Sequence, residues 1–69
     1  MKRIVVLGGG ESGTGAAILA KVKGFDVFLS DKGNIDGKYI ASLEEWGIPY
    51  ESGRHTESLI LNADEIIKS

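Results

Sequence analysis

Sixty-nine residues with ten glycines, no cysteine, one histidine and a net charge of −2 leave room for one small domain. They exclude a disulfide framework, a thiolate or histidine-cluster metal site, and the basic surface that nucleic acid or an anionic membrane attracts. A chain of this size buries only about 60% of its unfolded surface, so its stability is marginal.

The first predicted element is a strand, Arg3–Gly8, whose residues Ile4-Val5-Val6-Leu7 are uninterrupted apolar, as in a strand covered on both faces. The opening Met-Lys-Arg gives way to glycines too soon for a signal peptide. No segment approaches the ~20 apolar residues of a membrane span. Absence of cysteine fits a cytoplasmic location.

Gly8, Gly10 and Gly13 then fall in the G-x-G-x-x-G spacing between this strand and a helix expected from Ser12 to Lys23. Gly8 permits the tight turn, Gly10 the close approach of a ligand to the backbone, and Gly13 the contact of helix with strand. The free N–H groups and positive dipole end of such a helix suit a phosphate. Ala16, Leu19, Ala20 and Lys23 share one helical face, widened by Ile18 and Val22. Gly24 ends the helix.

Strand two is expected at Asp26–Ser30, and Asp31 follows about 20 residues beyond the glycine loop, where a carboxylate accepts from ribose hydroxyls. Asp31-Lys32-Gly33-Asn34 reads as a loop. A second helix spans roughly Asp36 to Trp46, with Tyr39, Leu43 and Trp46 as its packing face. Gly47 stops it, and strand three, Ile48–Glu51, is an edge strand because Pro49 lacks an N–H. Thr56 is a candidate N-cap for a short helix through Leu61, and Glu65–Lys68 forms strand four. His55 reads as an exposed or capping residue. Asp64 and Glu65 are expected to face solvent, and Glu44 and Glu45 to diverge.

This β-α-β-α-β-α-β pattern predicts an α/β fold, a Rossmann-like open parallel sheet in strand order 3-2-1-4. It opens a crevice between strands one and four at their carboxyl ends. Strand four is left as an uncovered apolar edge, so the chain reads as a piece of a longer protein.

Four stretches carry a family resemblance: Val5-Val6-Leu7-Gly8-Gly9-Gly10-Glu11-Ser12-Gly13, Val27-Phe28-Leu29-Ser30-Asp31, Gly53-Arg54-His55-Thr56 and Asn62-Ala63-Asp64-Glu65-Ile66-Ile67-Lys68-Ser69. In that order they resemble the N-terminal domain of the Mur ligases, nearest to the D-glutamate-adding branch of peptidoglycan synthesis. The resemblance implies a domain that binds the UDP part of UDP-N-acetylmuramoyl-L-alanine. By position, Gly10, Glu11, Ser12 and Gly13 would border the diphosphate, and Asp31, Lys32 and Gly33 the nucleoside. Ser69 would begin a turn that closes over the ligand.

The resemblance further implies ATP and magnesium in the parent enzyme, whose remaining domains would be this domain's partners. These 69 residues contain no Gly-Lys-Thr/Ser segment, so they are expected to hold no cofactor and to catalyse nothing alone. Read without the resemblance, the same loop and Asp31 also suit an NAD- or FAD-dependent oxidoreductase or a nucleotide-sensing module.

Overall fold

The computed structural model describes residues 1–69. Its elements alternate: β1 (Arg3–Leu7), α1 (Glu11–Val22), β2 (Asp26–Asp31), α2 (Gly37–Glu45), β3 (Tyr50–Ser52), α3 (Glu57–Ile60) and β4 (Glu65–Lys68). All strands are parallel, in the order β3-β2-β1-β4, which is the Rossmann-like α/β arrangement expected. Val5 of β1 is central, with Phe28 of β2 on one side and Ile66 of β4 on the other.

Strand alternation divides the core. Ile4, Val6, Val27 and Leu29 face α1 and α2 and pack with Ala17, Ala20, Ile35, Leu43 and Ile48. Val5 and Phe28 face the other way, onto Ile60 of α3. That second cover is only one helical turn long, and Ile66 remains 46% exposed.

Several local expectations change. The buried side of α1 is Gly13, Thr14, Ala17 and Ala20, while Leu19 and Val22 are exposed. Small residues win this face because the helix lies close against β1, and bulky ones are displaced outward. Leu19, Ala16, Ala20, Lys23, Phe25 and Ile67 line a shallow open groove instead. Trp46 is not a packing residue. It caps α2 and is 43% exposed.

Strand three begins later than expected. Gly47 adopts φ +67, and the Ile48 amide donates back to the Leu43 carbonyl at 2.9 Å, so Ile48 closes α2 rather than opening β3. Pro49 sits just before the edge strand and contributes only its carbonyl, accepting from Leu29 N at 3.1 Å. The Tyr50 hydroxyl donates to Glu44 Oε2 at 2.9 Å, which ties β3 to α2.

At the opposite end of the sheet Arg3 fastens the α3–β4 connection. Its guanidinium donates to Asn62 Oδ1 (2.9 Å), the Leu59 carbonyl (2.8 Å) and Asp26 Oδ2 (3.1 Å). Its amide donates to Asp64 Oδ2 at 2.6 Å, so Asp64 is a structural acceptor rather than a free surface charge.

Candidate functional site

The glycine loop leaves β1 at the carboxyl edge of the sheet. Gly8 has φ +113, a conformation that disfavours any side chain. Its amide continues the ladder to the Ser30 carbonyl at 2.9 Å. A Cβ at Gly13 would overlap the carbonyl oxygen of Gly8, so helix and loop touch backbone to backbone there. Nothing lies within 4 Å of where a Cβ on Gly10 would be, so that position is open to a ligand. The tight turn at Gly8 and the helix–strand contact at Gly13 are those their spacing predicts.

α1 starts one residue earlier than expected, with Gly10 as an N-cap that offers no side chain. The first helical amide bond runs from Thr14 N to the Gly10 carbonyl at 2.9 Å. The amides of Gly10, Glu11, Ser12 and Gly13 consequently have no acceptor within the protein. Glu11 and Ser12 are exposed, and neither side chain makes an internal hydrogen bond. This is the positive end of a twelve-residue helix dipole, open at the rim of the sheet.

Ser69 follows β4 directly and donates its amide to the Leu7 carbonyl at 3.0 Å. Its Cβ would lie 3.1 Å from a Cβ on Gly8 and 3.3 Å from one on Gly13. The topology therefore brings residue 69 against residues 8 and 13, on the β1–β4 side where the crevice was expected.

Asp31 carries two internal hydrogen bonds. It is the last residue of β2, and both carboxylate oxygens are already engaged. Oδ2 accepts from Gly9 N at 2.7 Å and Oδ1 from Gly33 N at 2.8 Å. The side chain bridges the glycine loop and the β2–α2 loop. Lys32 and Gly33 are exposed beside it, and Lys32 pairs with no carboxylate.

A polar cluster that sequence reasoning missed supports this loop from behind. Glu51 is 93% withdrawn from solvent by its 7% exposure, yet it is ionised. Its carboxylate accepts from Thr56 Oγ1 (2.6 Å), Thr56 N (2.7 Å), Ser30 Oγ (2.9 Å) and Arg54 Nε (3.3 Å). Burial pushes its pKa up, but the bonds from the Thr56 hydroxyl and amide, Ser30 and Arg54 outweigh it and hold the carboxyl down at about 2, from an ordinary 4.5. Thr56 takes the N-cap position of α3 as expected, but it spends its hydroxyl on Glu51 and makes no side-chain cap there.

His55 joins the cluster through Nδ1, 2.7 Å from Ser30 Oγ. The Ser30 hydroxyl has one proton, and Glu51 and the Arg54 carbonyl (3.1 Å) are both acceptors. The contact with His55 is satisfied when Nδ1 donates, which leaves Nε2 as the acceptor of the neutral ring. The signal available in the sequence was the run Glu51-Ser52-Gly53-Arg54-His55-Thr56 around one carboxylate, but nothing in it fixes Ser30 as a neighbour.

The turn so anchored reaches the site directly. Gly53 N and Arg54 N donate to the Asp31 carbonyl at 2.8 and 3.3 Å, and Ser52 Oγ accepts from Ile35 N at 3.0 Å. A continuous chain of bonds thus runs from Glu51 through residues 53–54 to Asp31 and on to Gly9.

The shallow groove beside α1 is lined by apolar groups and Lys23, and shares no residue with the glycine loop. No three His, Cys, Asp or Glu side chains converge to hold a metal ion. With no Gly-Lys-Thr/Ser segment either, these residues do not fit a magnesium–ATP site. No helix is long and apolar enough to cross a membrane.

A parallel sheet ordered 3-2-1-4, with a glycine loop opening onto free helix N-terminal amides, defines a Rossmann-like domain with an anion-receptive rim. The chain belongs to the MurD N-terminal domain family, whose model matches residues 3–69. It is 65% identical over 69 residues to the UDP-N-acetylmuramoylalanine--D-glutamate ligase of Bacteroides fragilis, covering all of this chain and 16% of that protein. Ligases of the same name from Bacteroides thetaiotaomicron and Cytophaga hutchinsonii are 64% and 52% identical over 69 and 68 residues. The match takes in 100% and 99% of this chain and 16% and 15% of those proteins. The chain therefore spans about one-sixth of the length of the curated relatives it matches.

Proposed function

We propose that this chain is the N-terminal, UDP-binding domain of an ATP-dependent ligase that adds D-glutamate to UDP-N-acetylmuramoyl-L-alanine in peptidoglycan synthesis. Family membership and the names of the relatives support the ligase. The observation that carries the binding role is the row of four acceptor-free amides at Gly10, Glu11, Ser12 and Gly13. They would take the diphosphate, with the Ser12 hydroxyl as a further donor. Main-chain groups of Lys32 and Gly33 would border the nucleoside, and the Lys32 ammonium would add positive charge. Ser69 would close the β1–β4 side. ATP and magnesium would be held by other parts of the parent protein, in the cytoplasm, where a nucleotide-linked precursor is made and consumed.

Titration of the protein with UDP-N-acetylmuramoyl-L-alanine and with NADH tests this reading. Saturable binding of the UDP compound and none of NADH is expected. Preference for NADH would overturn it in favour of an oxidoreductase.

Glu11 makes a second test. A carboxylate beside a diphosphate repels it, so its amide faces the ligand and its side chain faces water. Exposed charge interactions of this kind are worth less than about 1 kcal/mol. Glu11→Gln is expected to tighten UDP binding about two- to five-fold in a calorimetric titration. A tenfold loss would mean that the carboxylate itself contacts the ligand.

A further inference from the structure

We infer that Asp31 is a positioning residue that presets the glycine loop, and that its carboxylate makes no contact with the nucleoside. The inference rests on the proposed nucleotide reading and specifies how that site is organised. An acidic residue at the end of the second strand is ordinarily a ribose acceptor. Here each oxygen already accepts from a main-chain amide, Gly9 N at 2.7 Å and Gly33 N at 2.8 Å, which fixes the carboxylate between the two loops. Short bonds of this kind to a carboxylate are charge-assisted, and they tie both loops to one side chain.

The consequence concerns which amides face an anion. Gly8 N is committed to the Ser30 carbonyl and Gly9 N to Asp31, so both are withdrawn from the rim. Gly10, Glu11, Ser12 and Gly13 are the amides that remain. A glycine-rich loop has many backbone conformations to lose on binding. Fixing Gly9 before the ligand arrives removes part of that cost. The second bond, to Gly33, sets the nucleoside-side loop in register with the phosphate side. The anchor is itself held, because the Asp31 carbonyl accepts from Gly53 and Arg54 in the turn that Glu51 secures.

A ligand contact and a positioning role differ in what they do to truncated ligands. Dissociation constants for UDP and for inorganic pyrophosphate are measured with the unmodified protein, Asp31→Asn and Asp31→Ala. Asn keeps the shape but can accept only one of the two amides, and its NH2 group opposes the other. If the carboxylate presets the loop, both variants lower the fraction of binding-competent protein, and UDP and pyrophosphate weaken by the same factor, about tenfold. Loss confined to UDP, with pyrophosphate unchanged, would place the carboxylate on the nucleoside and overturn the inference. Unchanged affinity for both would overturn it as well.

A readout that needs no variant is amide hydrogen exchange in the unmodified protein. Gly9 and Gly33 are expected to exchange slowly and Gly10, Glu11, Ser12 and Gly13 quickly. Fast exchange at Gly9 and Gly33 removes the latch even where UDP binds. Protected Gly9 and Gly33 with no binding of UDP or pyrophosphate would instead remove the nucleotide reading, and the presetting role with it.

Discussion

Gly13→Ala is expected to destabilise the domain by about 2–3 kcal/mol and to abolish binding at the glycine loop, whereas Gly15→Ala, one half-turn along the same helix, stabilises it. The two glycines sit in one helix but in opposite surroundings. A Cβ on Gly15 meets nothing within 4 Å, so alanine there gains its helix propensity, worth about 0.5–1 kcal/mol. A Cβ on Gly13 would overlap the Gly8 carbonyl oxygen, lie 2.9 Å from its carbon, and press on Ser69 Cβ at 3.3 Å. None of the first two contacts involves a side chain that can rotate away. The amino end of α1 must lift from β1, and the amides of residues 10–13 lift with it. For a chain of this length total stability is only about 3–10 kcal/mol, so the loss is a large fraction. Urea midpoints of the two variants check this. Equal midpoints would mean that the helix floats free of the loop, and the close-packed rim described above would be wrong.

The fold was legible because each strand declares itself by an apolar run and each helix by period and punctuation. Parallel strands followed from the short connections, and the order 3-2-1-4 from the Rossmann-like arrangement to which the glycine loop belongs. The glycine spacing was legible for the same reason. Residues 8, 10 and 13 are local to one turn, and their backbone roles need no knowledge of distant partners. What was not legible depends on contacts between separate segments. Leu19 and Val22 looked like core by periodicity, but the closeness that Gly13 and Ala17 permit excludes bulky neighbours from the contact face. Thr56 has the chemistry of an N-cap, and a buried carboxylate five residues earlier claims its hydroxyl. Asp31 has the position of a ribose acceptor, and two amides from loops on either side claim its oxygens. For Thr56 and Asp31 the local chemistry was legible, and the groups that the fold brings beside them set which hydrogen bonds they make.

The same competition makes this domain's acid stability depend on Glu51. Its folded-state pKa of about 2 lies below the ordinary 4.5, because the bonds from Thr56, Ser30 and Arg54 favour the ionised form over the burial that opposes it. A depressed carboxyl pKa contributes stability that is fully present above the unfolded value and is lost as pH falls through the folded one. The expected window is therefore pH 4.5 down to 2. The contribution at neutral pH is on the order of 3 kcal/mol. Glu51→Gln keeps the shape but replaces one acceptor oxygen by an NH2 group that must face a donor, Thr56 or Ser30. It is expected to lower stability by about 2–3 kcal/mol at pH 7 and to flatten the decline between pH 4.5 and 2. The difference between the two proteins at each pH is the quantity to measure, by urea unfolding. It should shrink towards zero as pH approaches 2. A difference that stays constant with pH would show that the side chain acts through packing and not through its charge. Loosening of the 53–54 turn should also reach Asp31, so the variant is expected to speed amide exchange at Gly9, far from the substitution in sequence but joined to it by the bonds through the Asp31 carbonyl.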